Sequence, residues 1–375
     1  MKIAILGTRG IPACYGGFET FAEELSSRLA GRGHEVTVYC RKRCSEARYK
    51  GVRLRYLPTI RHKYLDTVVH TLLSSIDLLA RRPDVALYCN AANALFTLVP
   101  RLAGIPSALN VDGLERKRRK WGWAGRAWYR LSEWIATWAP AEVVSDAREI
   151  AAYYQQRYQR RTHFIPYGAE TGPVATAETL ERLGLRPGAY FLYVSRLEPE
   201  NNALEVRQAF ESLATGLRLA LVGDAPYASA YIRRVRDTRD PRIVMPGAIY
   251  GQGYHELQSH CFAYIHATEV GGTHPALIEA MGRGALVVYL STPENEEVAG
   301  GVGVPFTHGN LAAVLEGVLA MPEAERNALR SAALERVRER YSWEAVTEAY
   351  QALFDRMRGP ESTSPDSAHR AHSLR

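Results

Sequence analysis

The chain has 375 residues, 46% of them hydrophobic and 23% charged, with a formal net charge of +7. These values exclude a collagenous, low-complexity or wholly disordered polymer and describe a soluble globular protein long enough for two domains of about 150–200 residues each. The charge is uneven: residues 1–167 hold 27 Lys/Arg against 14 Asp/Glu and residues 168–375 hold 20 against 26, so an anionic surface or substrate is expected to meet the first half.

In chain order, "KIAILGT" is an apolar run that reaches glycine too early for a signal sequence and reads as a buried first strand. A glycine-rich loop, "GTRGIPACYGGFET" (7–20), leads into a helix from about Phe18, with Phe18, Phe21, Leu25 and Leu29 on one face. Strands are predicted at 35–40, 84–89, 107–111 and 141–146, with helices between them. The stretch 64–80 is the longest apolar one, but Asp66, His70 and Asp77 interrupt it, so no membrane span is expected. After "IPYGAE" (165–170) the rhythm restarts, with strands predicted at 190–197, 217–224, 242–247, 261–267 and 285–290. Strand–helix alternation of this kind predicts an α/β protein with two Rossmann-like domains in tandem. The expected divisions are 1–168, 169–341, a last helix over 342–358 and a disordered polar tail over 359–375. The last helix carries Trp343, Val346, Tyr350, Leu353 and Met357 on one stripe and must pack against something, because an isolated helix of this length is marginal. The five cysteines (Cys14, Cys40, Cys44, Cys89, Cys261) are odd in number and scattered. Cys40 and Cys44 have no second Cys/His pair at ligand spacing, so reduced, unligated thiols and a cytoplasmic setting are expected, with no metal site.

Four constellations carry chemistry. Gly10, Gly16 and Gly17 precede a helix, an arrangement that lets backbone amides approach an anion. The loop is neither a dinucleotide fingerprint nor a Walker loop; the competing reading is a purely structural turn. In "YVSRLEPENN" (193–202), Arg196 follows a strand and is placed to pair with phosphate oxygens at the strand's carboxyl end, while Asn201 and Asn202 sit where a helix would begin. A surface salt bridge to Glu198 or Glu200 competes with that reading. In "EVGGTHPALIEAMGRG" (269–284), Thr273 can cap a helix whose first turn takes Pro275, and Glu279 lies one turn in, either chelating ribose hydroxyls or serving the helix dipole. "YHELQSH" (254–260) offers two histidines at no zinc spacing and reads as a solvated helix face.

The fourth is "ERKRRKWGWAGRAWYRLSEWIATW" (115–138), which holds seven Lys/Arg and five of the six tryptophans. Cations beside tryptophans are the composition of a segment lying on anionic lipid. Residues 116–130 (Arg116, Lys117, Arg118, Arg119, Lys120, Trp121, Trp123 and Trp128) are therefore expected to meet a membrane or lipid-linked acceptor, with Trp134 and Trp138 taken as core. Nucleic acid could stack on the same rings, but no nucleic-acid-binding motif accompanies them, so no nucleic-acid partner is expected.

These motifs occur in register along nearly the whole chain. Together they resemble family 4 retaining glycosyltransferases of the GT-B fold. The N-terminal block and "NVDGLERKRRKWG" (110–122) are similar to a subgroup rich in bacterial rhamnosyltransferases that build surface polysaccharides. The resemblance implies two domains facing a cleft and a C-terminal helix that crosses back to the N-terminal domain. It implies metal-independent transfer of a sugar, rhamnose in the subgroup, from a nucleoside diphosphate to a saccharide or lipid-linked acceptor, at the inner face of the cytoplasmic membrane. No cofactor is implied. By resemblance, Gly16 and Gly17 close over the donor diphosphate, Arg196 grips it, Gly223 and Asp224 lie beneath the base, and Glu279 binds the ribose.

Three positions depart from the family's pattern. The lysine expected five residues after Arg196 is Asn201. The first glutamate of the E-x7-E motif is Gly271, followed by Gly272 and Thr273, with Glu269 out of register. The histidine expected to face the donor sugar is Asp112, taken here to position the sugar or acceptor hydroxyl. A non-catalytic nucleotide-sugar-binding paralogue is one alternative. A Rossmann oxidoreductase or epimerase is another, though the first loop lacks its fingerprint.

Overall fold

The structure, a computed structural model, describes residues 1–13, 16–43, 46–60, 62, 65–118, 121–225 and 228–359. Cys14, Cys44, Arg119, Lys120 and all but the first residue of the expected tail lie outside the described residues.

The apolar run after Met1 forms strand β1 (Lys2–Leu6), with Ile3, Ala4, Ile5 and Leu6 all buried. Burial on both faces is what a central parallel strand between helical layers requires. It is followed by β2 (Glu35–Cys40), β3 (Arg48–Tyr49), β4 (Val52–Tyr56), β5 (Val85–Cys89), β6 (Ser107–Asn110), β7 (Glu142–Ser145) and β8 (His163–Phe164). These form one sheet in the order β3-β4-β2-β1-β5-β6-β7-β8, parallel except for the β3–β4 pair. The second sheet comprises β9 (Tyr190–Val194), β10 (Arg218–Val222), β11 (Ile243–Gly247), β12 (Ala263–His266), β13 (Val287–Leu290) and β14 (Val304–Phe306). Its order is β11-β10-β9-β12-β13-β14, parallel throughout.

The ten predicted strands are all present. Four strands at or next to a sheet edge lacked a sequence signal, for physical reasons. In β4, VRLRY, arginines interrupt the apolar run because the strand's residues are only half-buried. β14 carries Pro305, which edges tolerate and central strands do not, and β3 and β8 have two residues each.

The last helix, Trp343–Arg358, begins where Ser342 accepts a hydrogen bond from the Ala345 amide. Its stripe packs on the first helix, Gly17–Gly31: the Tyr350 and Phe21 rings lie 5.3 Å apart, and Arg32 donates to Gln351 at 2.9 Å. Asn110, at the end of β6, donates to the Tyr350 hydroxyl at 2.9 Å. One hydrophobic cluster runs from β1 through this helix into the second sheet, so the C-terminal helix ties the two domains through a shared core. In each sheet the chain reverses winding direction at the central strand, β1 or β9. The loops leaving those strands and their neighbours open a crevice at their carboxyl ends, where ligands bind in doubly wound folds.

Candidate active site

The cleft between the two sheets has a volume of about 1330 Å³ and is lined by loops from both domains. On the N-terminal side, the glycine loop is held by two carboxylates of the helix it leads into. Glu19 accepts from the Arg9 amide at 2.9 Å and Glu23 from the Ala13 amide at 2.7 Å. Burial raises the pKa of Glu19. Gly16 and Gly17 line the cleft, and a Cβ on Gly17 would stand 2.9 Å from the Pro275 ring across it. Glu19 and Glu23 were missed in the sequence; their signal was acidic residues on the first turns of a helix that follows a glycine loop.

On the C-terminal side, Arg196, Asn201, Gly223, Asp224 and Glu279 all line the cleft. Arg196 is about one-third exposed and only 4.0 Å from Glu198, the outer limit of an ion pair, so the surface salt bridge considered from sequence is a loose one. Asn201 turns its amide inward, donating to the Arg196 carbonyl at 2.6 Å. Asn202 points away from the cleft: its amide donates to the Ala267 carbonyl at 2.9 Å and to Glu269 at 3.0 Å. Glu269 in turn faces His308 at 3.2 Å. Both belong to the loop's scaffold, and neither lines the cleft. Glu279 accepts a 2.6 Å hydrogen bond from Tyr254, and burial, only partly offset by this bond, raises its pKa. The helix Gln252–His260 is therefore not the solvated face expected of it, because Tyr254 and His255 turn into the cleft.

The helix Pro275–Gly282 opens at this wall with Pro275 in its first turn and His274 at the N-cap. Thr273 does not cap it, contrary to expectation. Its hydroxyl donates to the Asp146 carbonyl, and its amide donates to the Asp146 carboxylate at 2.9 Å. A side chain at Gly272 would overlap that same carboxylate, and one at Gly271 would overlap the His274 ring. Glycine at 271 is thus forced by the neighbouring imidazole, which explains why no glutamate stands there. His274 Nδ1 lies 2.6 Å from Asn295 Oδ1. The Asn295 amide already donates to Thr268 and Leu290, so Nδ1 carries the ring proton. The imidazole is held neutral, its pKa lowered to about 4 by burial first, with the Arg118 charge adding to the effect.

Asp146, at the end of β7 and fully buried, is the second residue sequence reasoning missed. It faces Asp112, which follows β6 at φ 53° with its amide donating to Asn110 at 3.1 Å. Burial raises both carboxyls, then the charge of Glu115 acts on Asp112 and that of Asp112 on Asp146. Both carboxyls are therefore pushed toward the protonated form, as two adjacent carboxylates in a dry crevice require.

Two family models divide the chain along these lines. "Glycosyltransferase Family 4" matches residues 15–172, and "Glycosyl transferases group 1" matches residues 188–323. The chain is a glycosyltransferase. A search of curated protein sequences gave no match. Among solved structures, it resembles sucrose-phosphate synthase of Thermosynechococcus elongatus, at 18% identity and TM-score 0.75 over 94% of this chain and 98% of that one. HepE of Anabaena, in complex with UDP and glucose, superposes with TM-score 0.77 at 16% identity over 94% and 99% of the two chains. WaaG, a glycosyltransferase involved in lipopolysaccharide biosynthesis, does so with TM-score 0.71 at 15% identity over 96% and 100%. At these identities the likeness establishes the GT-B fold: two parallel-sheet domains facing a cleft.

The glycosyltransferase's basic, tryptophan-rich segment is not the single surface expected of it. Arg118 is 7% exposed and lines the cleft, where its Nε meets Glu115 at 2.5 Å. Arg116 is tied to buried Glu133 at 2.9 Å and to the Tyr153 hydroxyl. Trp121 and Trp128 also line the cleft, Trp121 packing on Tyr129 with ring centroids 5.4 Å apart and Trp128 donating to the Ala92 carbonyl. Of the residues expected at the surface, Lys117 and Trp123 are there, Trp123 at 85% exposure. Trp134 and Trp138, expected in the core, are instead 53% and 41% exposed and stacked edge-to-face. Every third or fourth residue of the helix Trp123–Ala136 reaches this outer face, which aligns Trp123, Arg130, Leu131 and Trp134 with Trp138 just beyond it. No helix among the described residues is long and apolar enough to cross a membrane.

Proposed function

We propose that the glycosyltransferase binds a nucleoside-diphosphate sugar in the cleft and transfers the sugar, rhamnose by the subgroup resemblance, to a saccharide or lipid-linked acceptor with retention of configuration. The observation that carries the donor reading is the convergence, on one wall, of Arg196, the first turn of the helix at Pro275 and the Glu279 carboxylate. A guanidinium and a helix N-terminus suit phosphate oxygens. A carboxylate one turn further along suits a vicinal diol. HepE, which shares the fold, holds UDP and glucose in its solved complex.

In this reading the departing diphosphate is stabilised electrostatically by Arg196 and the helix N-terminus rather than by a metal. The Gly16–Gly17 loop approaches from the opposite domain, and the leaving phosphate accepts the proton of the incoming hydroxyl. Asp112 orients the sugar or that hydroxyl, and a proton shared with Asp146 lets the two carboxyls coexist. The acceptor enters from the N-terminal side. We place the enzyme at the inner face of the cytoplasmic membrane, anchored by the outer stripe of Trp123, Leu131, Trp134 and Trp138 with Arg126 and Arg130 beside it, a composition that suits anionic lipid. The membrane contact is thus proposed for this stripe in place of the wider range 116–130.

A thermal-shift panel of nucleoside-diphosphate sugars tests the donor assignment, because a ligand that binds only the folded state raises its apparent stability. At least one dTDP- or UDP-sugar is expected to stabilise the protein, and Arg196→Ala to abolish that shift and transfer. Stabilisation by NAD with no response to any sugar nucleotide would sink the proposal. Binding without transfer or hydrolysis would point to the non-catalytic paralogue.

A further inference from the structure

The donor wall is short of positive charge. Asn201 stands where a lysine would flank Arg196, and its amide is engaged by the Arg196 carbonyl within its own loop. On the C-terminal side, the diphosphate of the reading above would therefore meet one guanidinium and a helix end.

Across the cleft stands Arg118, carried by the loop after β6. Its Nε is held by Glu115, but its Nη1 has no hydrogen-bond acceptor among the described residues. That nitrogen lies 3.7 Å from Glu198 Oε2 and 3.9 Å from Glu200 Oε1. Arg196 Nη2 lies 4.0 Å from the same Glu198 Oε2. Two guanidiniums from different domains thus converge on one carboxylate oxygen at the cleft wall, and neither is within hydrogen-bonding distance of it. Glu200 is fully buried, and neither of its carboxylate oxygens has a hydrogen-bond partner among the described residues.

A buried ion-pair network contributes to stability only when its geometry is excellent and its remaining protons and lone pairs are satisfied. This one holds charges together at long range and leaves the Arg118 Nη1 donor and both Glu200 acceptors open among the described residues. It is poorly built as a clasp between domains. It is well built as a site for an anion, because a phosphate oxygen between the two guanidiniums supplies the acceptor that buried Arg118 Nη1 lacks and pairs with Arg196 as well.

We propose that Arg118 is the second cation of the donor-diphosphate site, supplied by the N-terminal domain in place of the lysine absent at Asn201. The proposal rests on the donor reading given above. When the donor enters, its β-phosphate takes the place of Glu198 Oε2 between Arg118 and Arg196. Since these two arginines belong to different domains, the diphosphate itself ties the domains together, and stabilisation of the leaving group is coupled to closure of the cleft.

The test is calorimetric titration of the full chain with UDP and UMP, and with dTDP and dTMP. Wild type is compared with Arg118→Lys and with the double variant Arg118→Met/Glu200→Gln, which removes the cation together with a buried counter-charge so that the fold is preserved. The wild type is expected to prefer the diphosphate over the monophosphate. The double variant should lose about tenfold or more of that preference while monophosphate affinity is kept, and Arg118→Lys should recover part of it. If the folded double variant keeps the full preference, or if mono- and diphosphate affinities fall together, Arg118 is only structural and the proposal is overturned. A wild type that binds neither diphosphate overturns the donor reading as well, so the two failures are distinguishable.

Discussion

Residues 115–121, with five cations and one tryptophan, and residues 123–138, with two arginines and four tryptophans, form one basic, tryptophan-rich segment, and the fold sends the described residues of its two parts in different directions. From the first, Glu115, Arg118 and Trp121 line the cleft, where Arg118 is nearly inaccessible and Trp121 covers Gly125 and Tyr129. The second forms a helix with one tryptophan stripe facing solvent. The difference lies in the carboxylates. Glu115, Glu198 and Glu200 surround Arg118, whereas no ion pair engages Arg126 or Arg130 among the described contacts. Buried guanidiniums need counter-charges and surface ones do not. Basic-aromatic composition is therefore ambiguous until the positions of the acids are known.

The sharpest way to break this contrast is Arg118→Ala. It leaves a cluster of buried carboxylates without its cation and should cost about 3–5 kcal/mol in denaturant titrations; a loss below about 1 kcal/mol would move Arg118 to the surface class. Trp121→Ala removes a half-buried ring from Tyr129 and should cost about 2 kcal/mol, measured the same way.

The pair of Asp112, just upstream of the inner stretch, and Asp146, after β7, gives a pH signature. Asp146 has its folded pKa raised, by burial first and the Asp112 charge second. Its contribution is therefore fully present below the unfolded value of about 3.9 and is lost as pH rises through the folded value. Asp146→Asn keeps a donor toward Asp112 and an acceptor for the Thr273 amide. Its urea midpoint should fall less between pH 4 and pH 8 than that of wild type. An unchanged slope would remove the dyad from the account.

The smallest expected stability effect belongs to the outer stripe. Trp134→Ala/Trp138→Ala should change stability by no more than about 1 kcal/mol, yet weaken flotation with vesicles containing anionic phosphatidylglycerol several-fold. Unchanged flotation would leave the stripe without its proposed partner.

Much of the cleft was legible because its local grammar is strong. Gly16, Gly17, Arg196, Gly223, Asp224 and Glu279 each sit at a strand end or a helix start, and the structure brings them to one cavity. Asn202 and Glu269 shared that grammar but rotated away, because the tight turn at φ 59° points the Asn202 amide at the end of β12. Asp146 was illegible. An aspartate at the end of an apolar strand carries no local sign that it will face another carboxylate and the amide of Thr273, 127 residues away.

By itself the sequence determined the alternation of strands and helices, the restart after residue 170 and the placing of a glycine loop before the first helix, since periodicity and backbone permissiveness are local properties. Tertiary structure alone decided which arginines are buried, why position 271 must be glycine and which tryptophans reach solvent. Those outcomes depend on where distant acids, an imidazole and the opposite domain come to rest, and the cost of burying a charge is set by neighbours that local sequence does not name.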